Sequence, residues 1–189
     1  MAVVVQLEWA RGSSHSVVAE VAGFLIVTRW EDGARDLVVP NKGAVVRVAV
    51  GSDHAGFELK ESLKTWLEAS GHEVNDVGTH STERTDYPTY GTKVAELVAS
   101  GQADRGVAVC GSGQGICMSV NRVHGARGGI LRDAYDAEMT RLHNDANVAC
   151  FGERVTDAAT AQELLALFLA TEFEGGRHAL RVEQLDQLT

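Results

Sequence analysis

The feature that most limits the fold of this chain is a repeated alternation of two hydrophobic patterns from residue 45 onward. Five times, a short apolar run typical of a buried strand precedes a longer stretch with helical spacing. This alternation predicts an α/β fold, a Rossmann-like three-layer α/β/α sandwich with a five-stranded parallel sheet. The predicted strands are Val45–Gly51, Glu73–Val77, Gly106–Cys110, Arg127–Leu131 and Asn147–Phe151, and the predicted helices are Gly56–Ser70, Tyr90–Ala99, Gln114–Val123, Ala134–His143 and Ala158–Ala170.

Residues 1–44 stand apart from this pattern, so the sequence predicts an N-terminal extension of unknown role followed by one domain over residues 45–189. Within the extension, Phe24–Trp30 and Arg35–Val39 have the composition of two strands that could pair as a hairpin. We expect instead a poorly ordered extension or the product of an upstream start codon, because no chemistry is recognisable in the segment.

Composition excludes several classes of function. The net charge of −9 argues against nucleic acid or an anionic membrane as a partner. No apolar stretch is long enough to span a bilayer, and the N-terminus lacks the basic region of a signal peptide. The three cysteines form neither a paired framework nor a zinc-binding spacing, so we expect a reduced, cytoplasmic protein.

The strongest chemical signal is a cysteine at the end of a predicted strand, Cys110, followed by glycines at alternate positions. Glycines there allow backbone N–H groups to approach an anion closely, and a helix N-terminus beyond them favours negative charge. The alternative is a buried thiol that only packs. Ile116 stands where a cysteine phosphatase needs arginine and a dinucleotide fingerprint needs glycine, which excludes both, and the Walker lysine is also absent.

Three further segments carry polar residues, and each has a simpler structural alternative. Asp53 and His54 follow the first predicted strand, where an acid and an imidazole fit sugar recognition but also helix capping. His143 ends a predicted helix, where it is a candidate acid or base or a cation favoured by the helix dipole. Arg177 and Arg181 share a face if their segment is helical, which suits a phosphate or a solvated basic surface.

Taken together, these segments resemble the ribose-5-phosphate isomerase type B family, which includes allose- and galactose-6-phosphate isomerases. The resemblance spans residues 45 to 189, and residues 1–44 lie outside it. The stretches that carry it are VAVGSDHAGFELK (48–60), GTHSTERTDYPTYG (78–91), VCGSGQGICMSVNRVHGAR (109–127), RLHNDANVACFGERV (141–155) and EFEGGRHALRVEQL (172–185).

The resemblance implies an aldose–ketose isomerase that uses no metal or cofactor and shares its active sites between the subunits of a homodimer, sometimes paired into a homotetramer. By motif, Cys110 would be the catalytic base, His143 would open the furanose ring, and Asp53 and Ser112 would assist. Members without the cysteine use a glutamate at the position of Ile116, so this chain is similar to the cysteine subgroup. The residues implied to bind substrate are Asp53, His54, Gly111, Ser112, Gly113, Gln114, Gly115, Asn144, Arg154, Arg177 and Arg181.

We therefore predict interconversion of D-ribose 5-phosphate and D-ribulose 5-phosphate through a cis-enediolate, as part of the pentose phosphate pathway. Isomerisation of allose 6-phosphate or galactose 6-phosphate is one alternative. A non-catalytic phosphosugar-binding protein is another, although a sensor has no need of a base. A redox-active thiol protein is a third, and the lack of a C-x-x-C pair argues against it.

Overall fold

The structure, a computed structural model, describes residues 45–188 and, as backbone alone, residues 16–21, 24–31 and 34–38. The chain divides into two compact units, Met1–Ala44 and Val45–Thr189. The first contains strands β1 (Ser16–Val21), β2 (Phe24–Glu31) and β3 (Ala34–Val38), which form an antiparallel sheet in the order β1-β2-β3. Strand β2 pairs with β3 antiparallel, which is the arrangement of the hairpin alternative.

The second unit is built on the predicted five-stranded parallel sheet. Its strands lie in the order β5-β4-β6-β8-β7, with every neighbouring pair parallel. Strand β6 is therefore central, and its carboxyl end lies between the ends of β4 and β8. The strands are β4 (Arg47–Ser52), β5 (Glu73–Asp76), β6 (Arg105–Cys110), β7 (Gly128–Ile130) and β8 (Val148–Gly152).

Helices cover both faces of this sheet, which confirms the three-layer prediction. Helices α2 (Tyr87–Ala99) and α3 (Gln114–Val120) pack together on one face, and α1 (Phe57–Ala69) and α5 (Ala158–Ala170) contact each other on the opposite face. Helix α4 (Ala134–Asn144) packs against α5, and α6 (Ala179–Asp186) follows a short 3-10 turn, Gly176–His178. Among the residues described, no helix combines the length and apolar character needed to cross a membrane.

Two helix boundaries differ from the prediction by three residues, each for an identifiable reason. Helix α2 begins three residues early, at Tyr87, because Pro88 fits the first helical turn, where its missing N–H costs no hydrogen bond. Helix α3 ends at Val120 rather than at Val123. The side chain of Asn121 hydrogen-bonds to the carbonyl oxygens of Cys117 and Gly128 at 3.0 Å each, which ends the helix and ties it to strand β7.

A buried ion pair joins helix α1 to the end of strand β5. The Lys60 ammonium is fully buried, and its Nζ lies 2.8 Å from Oδ2 of Asp76. Burial by itself raises the pKa of Asp76, but hydrogen bonds from Lys60, the Gly78 amide and Lys64 outweigh it and hold that pKa below its usual value. The ionised pair therefore stabilises the fold at neutral pH.

Replacement of Asp76 tests this pair. Asp76→Asn is expected to lower the free energy of unfolding near neutral pH by about 2 kcal/mol, because the buried Lys60 would keep only the partly exposed Glu61 carboxylate as a counter-ion. A carboxylate with a lowered pKa stabilises the fold above its unfolded pKa, and this contribution is lost as the pH falls through the folded pKa. The difference from the wild type should therefore shrink below about pH 4 in urea unfolding experiments.

The matched control is Asp104→Asn, which breaks an equally direct ion pair on the surface. Asp104 contacts Arg47 at 2.6 Å, but both side chains are more than 40% exposed. We expect a loss below about 1 kcal/mol. Equal losses for the two variants would contradict a special contribution from the buried pair.

Candidate active site

Cys110 lies at the carboxyl end of the central strand β6 and is only 4% exposed. Its side chain belongs to the core on the α2/α3 face, where it packs near Ile116 and Cys117. The loop that follows turns through Gly113, whose φ of +78° is a conformation that suits glycine. Helix α3 begins at the next residue. The sequence prediction of a strand, a glycine turn and a helix is therefore confirmed here.

Neighbouring connections hold this loop on both sides by direct backbone packing. A Cβ atom on Gly56, before α1, would lie 2.7 Å from the carbonyl carbon of Val109. A Cβ on Gly152, at the end of β8, would lie 2.5 Å from the carbonyl carbon of Ser112. Since real Cβ atoms do not approach other atoms so closely, glycine is required at both positions for the Cys110 loop to lie where it does.

Asp53 and His54 lie near Cys110 at the carboxyl edge of the sheet, where the parallel strands end, because β4 is paired directly with β6. Asp53 is buried, and its Oδ1 accepts a hydrogen bond of 2.9 Å from the Ala55 amide, so the predicted capping role is present. The His54 ring is fixed by a 2.9 Å contact between Nδ1 and the carbonyl oxygen of Thr85. Capping leaves the second carboxylate oxygen of Asp53 for other contacts, so the structural and ligand-binding roles are compatible.

The remaining predicted residues of this edge surround the glycine loop. Ser112 is exposed, and its Oγ accepts a hydrogen bond of 3.4 Å from the amide of Gln114. The guanidinium of Arg154 lies against Gly111, 3.1 Å from where a Cβ would stand. The carboxyl edge thus brings together nine of the predicted site residues: Asp53, His54, Cys110, Gly111, Ser112, Gly113, Gln114, Gly115 and Arg154.

Tyr87 is an additional neighbour of the loop. Its ring packs on Gly115, where a Cβ would lie 2.6 Å from Cζ of the tyrosine. The side chain is 39% exposed and stands at the first position of α2. Tyr87 belongs to the stretch at 78–91 that carries the family resemblance, and the structure makes it a wall of the loop.

The other two cysteines have a different environment. Cys150 is fully buried, and a hydrogen bond with Cys117 together with burial raises the pKa of the Cys150 thiol well above its usual value. Cys150 is therefore a neutral packing residue at neutral pH. Cys110 differs because it stands at the open end of its strand, next to the glycine loop.

His143 and Asn144 lie at the amino edge of the sheet, where the strands begin, opposite to Cys110. Helix α4 ends at Asn144, and the chain then enters β8 at Val148, which pairs with Gly106 at the start of β6. Because a strand rises about 3.3 Å per residue, the four steps from Gly106 to Cys110 separate the two edges by about 13 Å. One copy of the chain therefore does not bring His143 to Cys110.

Arg177 and Arg181 accompany His143 at this amino edge. The segment that leads to them is tied to the end of α4 by a 3.1 Å hydrogen bond from the Glu174 amide to the Leu142 carbonyl. Arg177 lies in the 3-10 turn and Arg181 one turn later on α6, and both are exposed. The prediction that both arginines share one face of a helix is therefore met only in part, because the regular helix begins at Ala179, after Arg177.

Two residues of this edge were missed in the sequence interpretation. His178 is 4% exposed and stacks on His143, with ring centroids 4.2 Å apart and planes inclined by 7°. Glu174 places Oε2 at 3.6 Å from Nε2 of His143 and 3.8 Å from Nε2 of His178. The only sequence signal was the position of both residues beside Arg177, and spacing alone does not reveal a ring stack.

These three side chains resemble a metal site in composition but not in geometry. Their ligand atoms lie within 4.8 Å of one another. However, parallel imidazoles direct their lone pairs along parallel planes, which do not converge at about 2.1 Å from both nitrogens as zinc requires. Nε2 of His178 also accepts a 3.1 Å hydrogen bond from Nε of Arg177, so its lone pair is already used.

A network of ion pairs fixes the end of α4. Asp145 has a left-handed backbone conformation with φ of +46°, as is common after a helix. Its carboxylate accepts from Arg141 at 2.7 Å and from Arg127 at 2.8 Å, and Arg127 also binds Asp186 at the end of α6. The network therefore sets the position of α4 relative to α6, which carry His143 and Arg181.

The fold and the site together define a class of protein. It is a doubly wound α/β protein with a thiol and a glycine loop at the carboxyl edge of the sheet. At the amino edge it has a histidine–arginine cluster, formed by His143, Glu174, Arg177, His178 and Arg181. The ribose/galactose isomerase family profile matches residues 48–185. The chain is 43% identical to ribose-5-phosphate isomerase B of Escherichia coli over 74% of this chain and 93% of that protein.

Solved structures agree with the sequence match. Ribose-5-phosphate isomerase B of Clostridium thermocellum superposes with a TM-score of 0.74 at 45% identity, covering 75% of this chain and 95% of that one. The type B enzyme of Trypanosoma brucei gives 0.73 at 44% identity, covering 76% and 98%. The chain belongs to the ribose/galactose isomerase family.

A substitution at Gly152 tests the backbone packing of the loop. Gly152→Ala is expected to lower the free energy of unfolding by about 2 kcal/mol, because the new Cβ overlaps the Ser112 backbone. Displacement of the loop should also lower turnover of the sugar phosphate substrate. Gly71→Asn is the control, since Gly71 faces open space and asparagine tolerates its left-handed conformation. Unchanged stability and turnover in Gly152→Ala would contradict the packing argument.

Proposed function

We propose that this protein interconverts D-ribose 5-phosphate and D-ribulose 5-phosphate as an aldose–ketose isomerase of the pentose phosphate pathway. The observation that carries the proposal is the Cys110 thiol at the head of a glycine loop, with the buried apolar side chain of Ile116 where a catalytic carboxylate would otherwise stand. The match to ribose-5-phosphate isomerases over residues 48–185 supports it.

We assign the activity to residues 45–189, because the family match lies within them. The role of residues 1–44 stays outside this assignment. A cytoplasmic location is part of the proposal, since the three buried free thiols suit a reducing compartment.

A complete active site requires two copies of the chain in this proposal. The base lies at the carboxyl edge and the histidine–arginine cluster at the amino edge, about 13 Å apart along β6. A two-fold dimer that places the amino edge of one copy over the carboxyl edge of the other forms two equivalent sites. Large exposed apolar side chains suit such a contact, among them Met118, Tyr135 and Leu180, which are 66%, 71% and 61% exposed.

Binding and ring opening use cations and a proton donor from both edges. Arg177 and Arg181 of one copy, with Arg154 and His54 of the other, hold the phosphate dianion, for which a guanidinium offers paired donors. The residues from 45 onward carry 13 basic and 21 acidic side chains, so this attraction has to be local. His143, with Asn144 beside it, gives a proton to the ring oxygen, and Asp53 accepts the proton of the anomeric hydroxyl, which releases the open-chain aldehyde.

Isomerisation then needs one base and one anion hole. The Cys110 thiolate removes the proton from C2, and the electron pair forms the C1–C2 double bond while O1 becomes an enediolate oxygen. The amides of the loop from Gly111 to Gly115 stabilise this oxygen, and Ser112 carries the O2 proton to O1. Cys110 returns its proton to C1, which leaves the carbonyl at C2.

The magnitudes explain why base and hole lie on one loop. A positioned general base accelerates proton transfer by about 10²–10⁴-fold. One well-placed oxyanion donor contributes roughly 3–4 kcal/mol in favourable cases. Neither is sufficient alone, and the junction of β6 with α3 provides both within a few residues.

The family also contains galactose isomerases, which makes six-carbon phosphates the second candidate substrates. A hexose 6-phosphate is longer than ribose 5-phosphate by one carbon between the reacting end and the phosphate. The distance from the Cys110 loop to the arginines across the subunit contact therefore selects the sugar. Turnover of ribose, allose and galactose phosphates by one preparation identifies which length fits.

The base assignment is tested by Cys110→Ala. We expect turnover of ribose 5-phosphate to fall by about 10²–10⁴-fold, because the C2 proton loses its acceptor. Loss of the C2 hydrogen to deuterated solvent, followed by NMR, should fall in parallel. Cys117→Ala is the control, since it removes a buried thiol of the same face that takes no part in proton transfer. Near-normal turnover by Cys110→Ala would exclude this thiol as the base.

The shared site is tested by mixing two inactive variants, Cys110→Ala and His143→Asn. Each variant alone keeps one defective residue in both sites of its dimer. A mixed dimer has both defects in one site and none in the other, so random exchange of subunits should restore about a quarter of wild-type activity. Mixtures of Cys110→Ala with Asp53→Asn should restore none, because both residues lie at the same edge. Equal recovery in both mixtures, or in neither, would contradict the split arrangement.

A further inference from the structure

His178 is the most buried side chain of the histidine–arginine cluster at the amino edge. It makes two distinct contacts within that cluster. One face of its ring stacks on His143, with centroids 4.2 Å apart. Its Nε2 accepts a hydrogen bond of 3.1 Å from Nε of Arg177. The same imidazole thus touches both a residue proposed to donate a proton and a residue proposed to bind phosphate.

The hydrogen bond from Arg177 defines the charge state of this ring. A guanidinium donates and never accepts, so Nε2 of His178 must be unprotonated and the ring proton lies on Nδ1. Burial, the neighbouring His143 and the cations Arg177 and Arg181 lower the pKa of His178, in agreement with a neutral ring at neutral pH. Glu174 opposes these effects, but it is exposed and 3.8 Å away.

A neutral His178 places no positive charge of its own against the face of His143. Two parallel imidazolium rings this close would repel strongly, and His143 is the more exposed of the two. His143 is also slightly nearer to the Glu174 carboxylate, at 3.6 Å. An uncharged neighbour is what His143 requires if it is to act as the ring-opening acid.

The contact with Arg177 has a consequence for phosphate recognition. An arginine side chain loses considerable rotamer entropy when it is fixed in place. Because Nε of Arg177 is already held by His178, its two terminal nitrogens are oriented together and stay available for two phosphate oxygens. The exposed Arg177 is thus preorganised by a buried neighbour.

We propose that His178 is a positioning residue of this isomerase, which orients Arg177 for the substrate phosphate through Nε2 and supports His143 as the proton donor through its stacked ring. This inference rests on the proposed function. His178 itself contacts neither the sugar nor the phosphate, so its effects pass through Arg177 and His143.

Two substitutions separate the two contacts. His178→Phe keeps a stacking ring and removes the acceptor, so KM for ribose 5-phosphate should rise about tenfold while kcat changes little. His178→Gln keeps an acceptor and removes the ring, so kcat should fall while KM stays near the wild-type value. Inhibition by inorganic phosphate should weaken with His178→Phe and not with His178→Gln. The same change of KM and kcat in both variants would overturn the proposal, because it indicates a packing role alone.

A double-mutant cycle provides an independent test of the route through Arg177. If His178 acts on phosphate binding through Arg177, then His178→Phe should raise KM in the wild type but add nothing in an Arg177→Ala background. Multiplicative effects on KM would overturn the proposal. The cycle also covers the case in which His178→Gln folds poorly, since it uses His178→Phe alone.

The controls keep this inference distinct from the proposed function. His72→Phe replaces a half-buried histidine at the start of β5, away from both clusters, and should leave kcat and KM within about twofold of the wild type. An inactive wild-type protein would overturn the isomerase proposal itself. An active wild type with unaltered kinetics in both His178 variants would overturn only the role of His178.

Discussion

Direct backbone contact between three strand-to-helix connections is the constraint on which the site depends. Gly56 touches the backbone of Val109 and Gly152 touches that of Ser112, so the Cys110 loop is held from both neighbouring strands. Such contacts are possible only without a Cβ atom. They fix the thiol and the loop amides on a packed sheet edge, which is the rigidity that the proposed anion hole requires.

The parallel sheet that provides this edge also divides the chemistry. Side chains after β4, β6 and β8 meet at the carboxyl ends, whereas α4 and the C-terminal segment deliver histidine and arginine to the amino ends. The Asp145 network holds α4 and α6 together there, so the second group is as firmly placed as the first. The separation of the two groups follows from strand length, and it is the reason that the proposed function needs two copies of the chain.

Much of the architecture was predictable because hydrophobic periodicity reports directly on burial. The five strands of the parallel sheet were located to within two residues at each end, and the helices less accurately. Pro88 was compatible with a helix start that the periodic residues did not indicate. The side chain of Asn121 ended α3 through hydrogen bonds to Cys117 and to Gly128 of the following strand, which hydrophobic periodicity does not report. Helix ends were harder to predict because single side chains decide them.

The sequence by itself determined the layered fold, the cysteine at the end of the central strand and the residues around it, because adjacent positions in a βα connection are also adjacent in space. Only the tertiary structure decided that Cys110 and His143 lie at opposite edges and that His178 stacks on His143 while holding Arg177. These relations join residues through strand order, ring orientation and hydrogen-bond direction. None of those quantities is encoded in local spacing, since each depends on how distant segments pack.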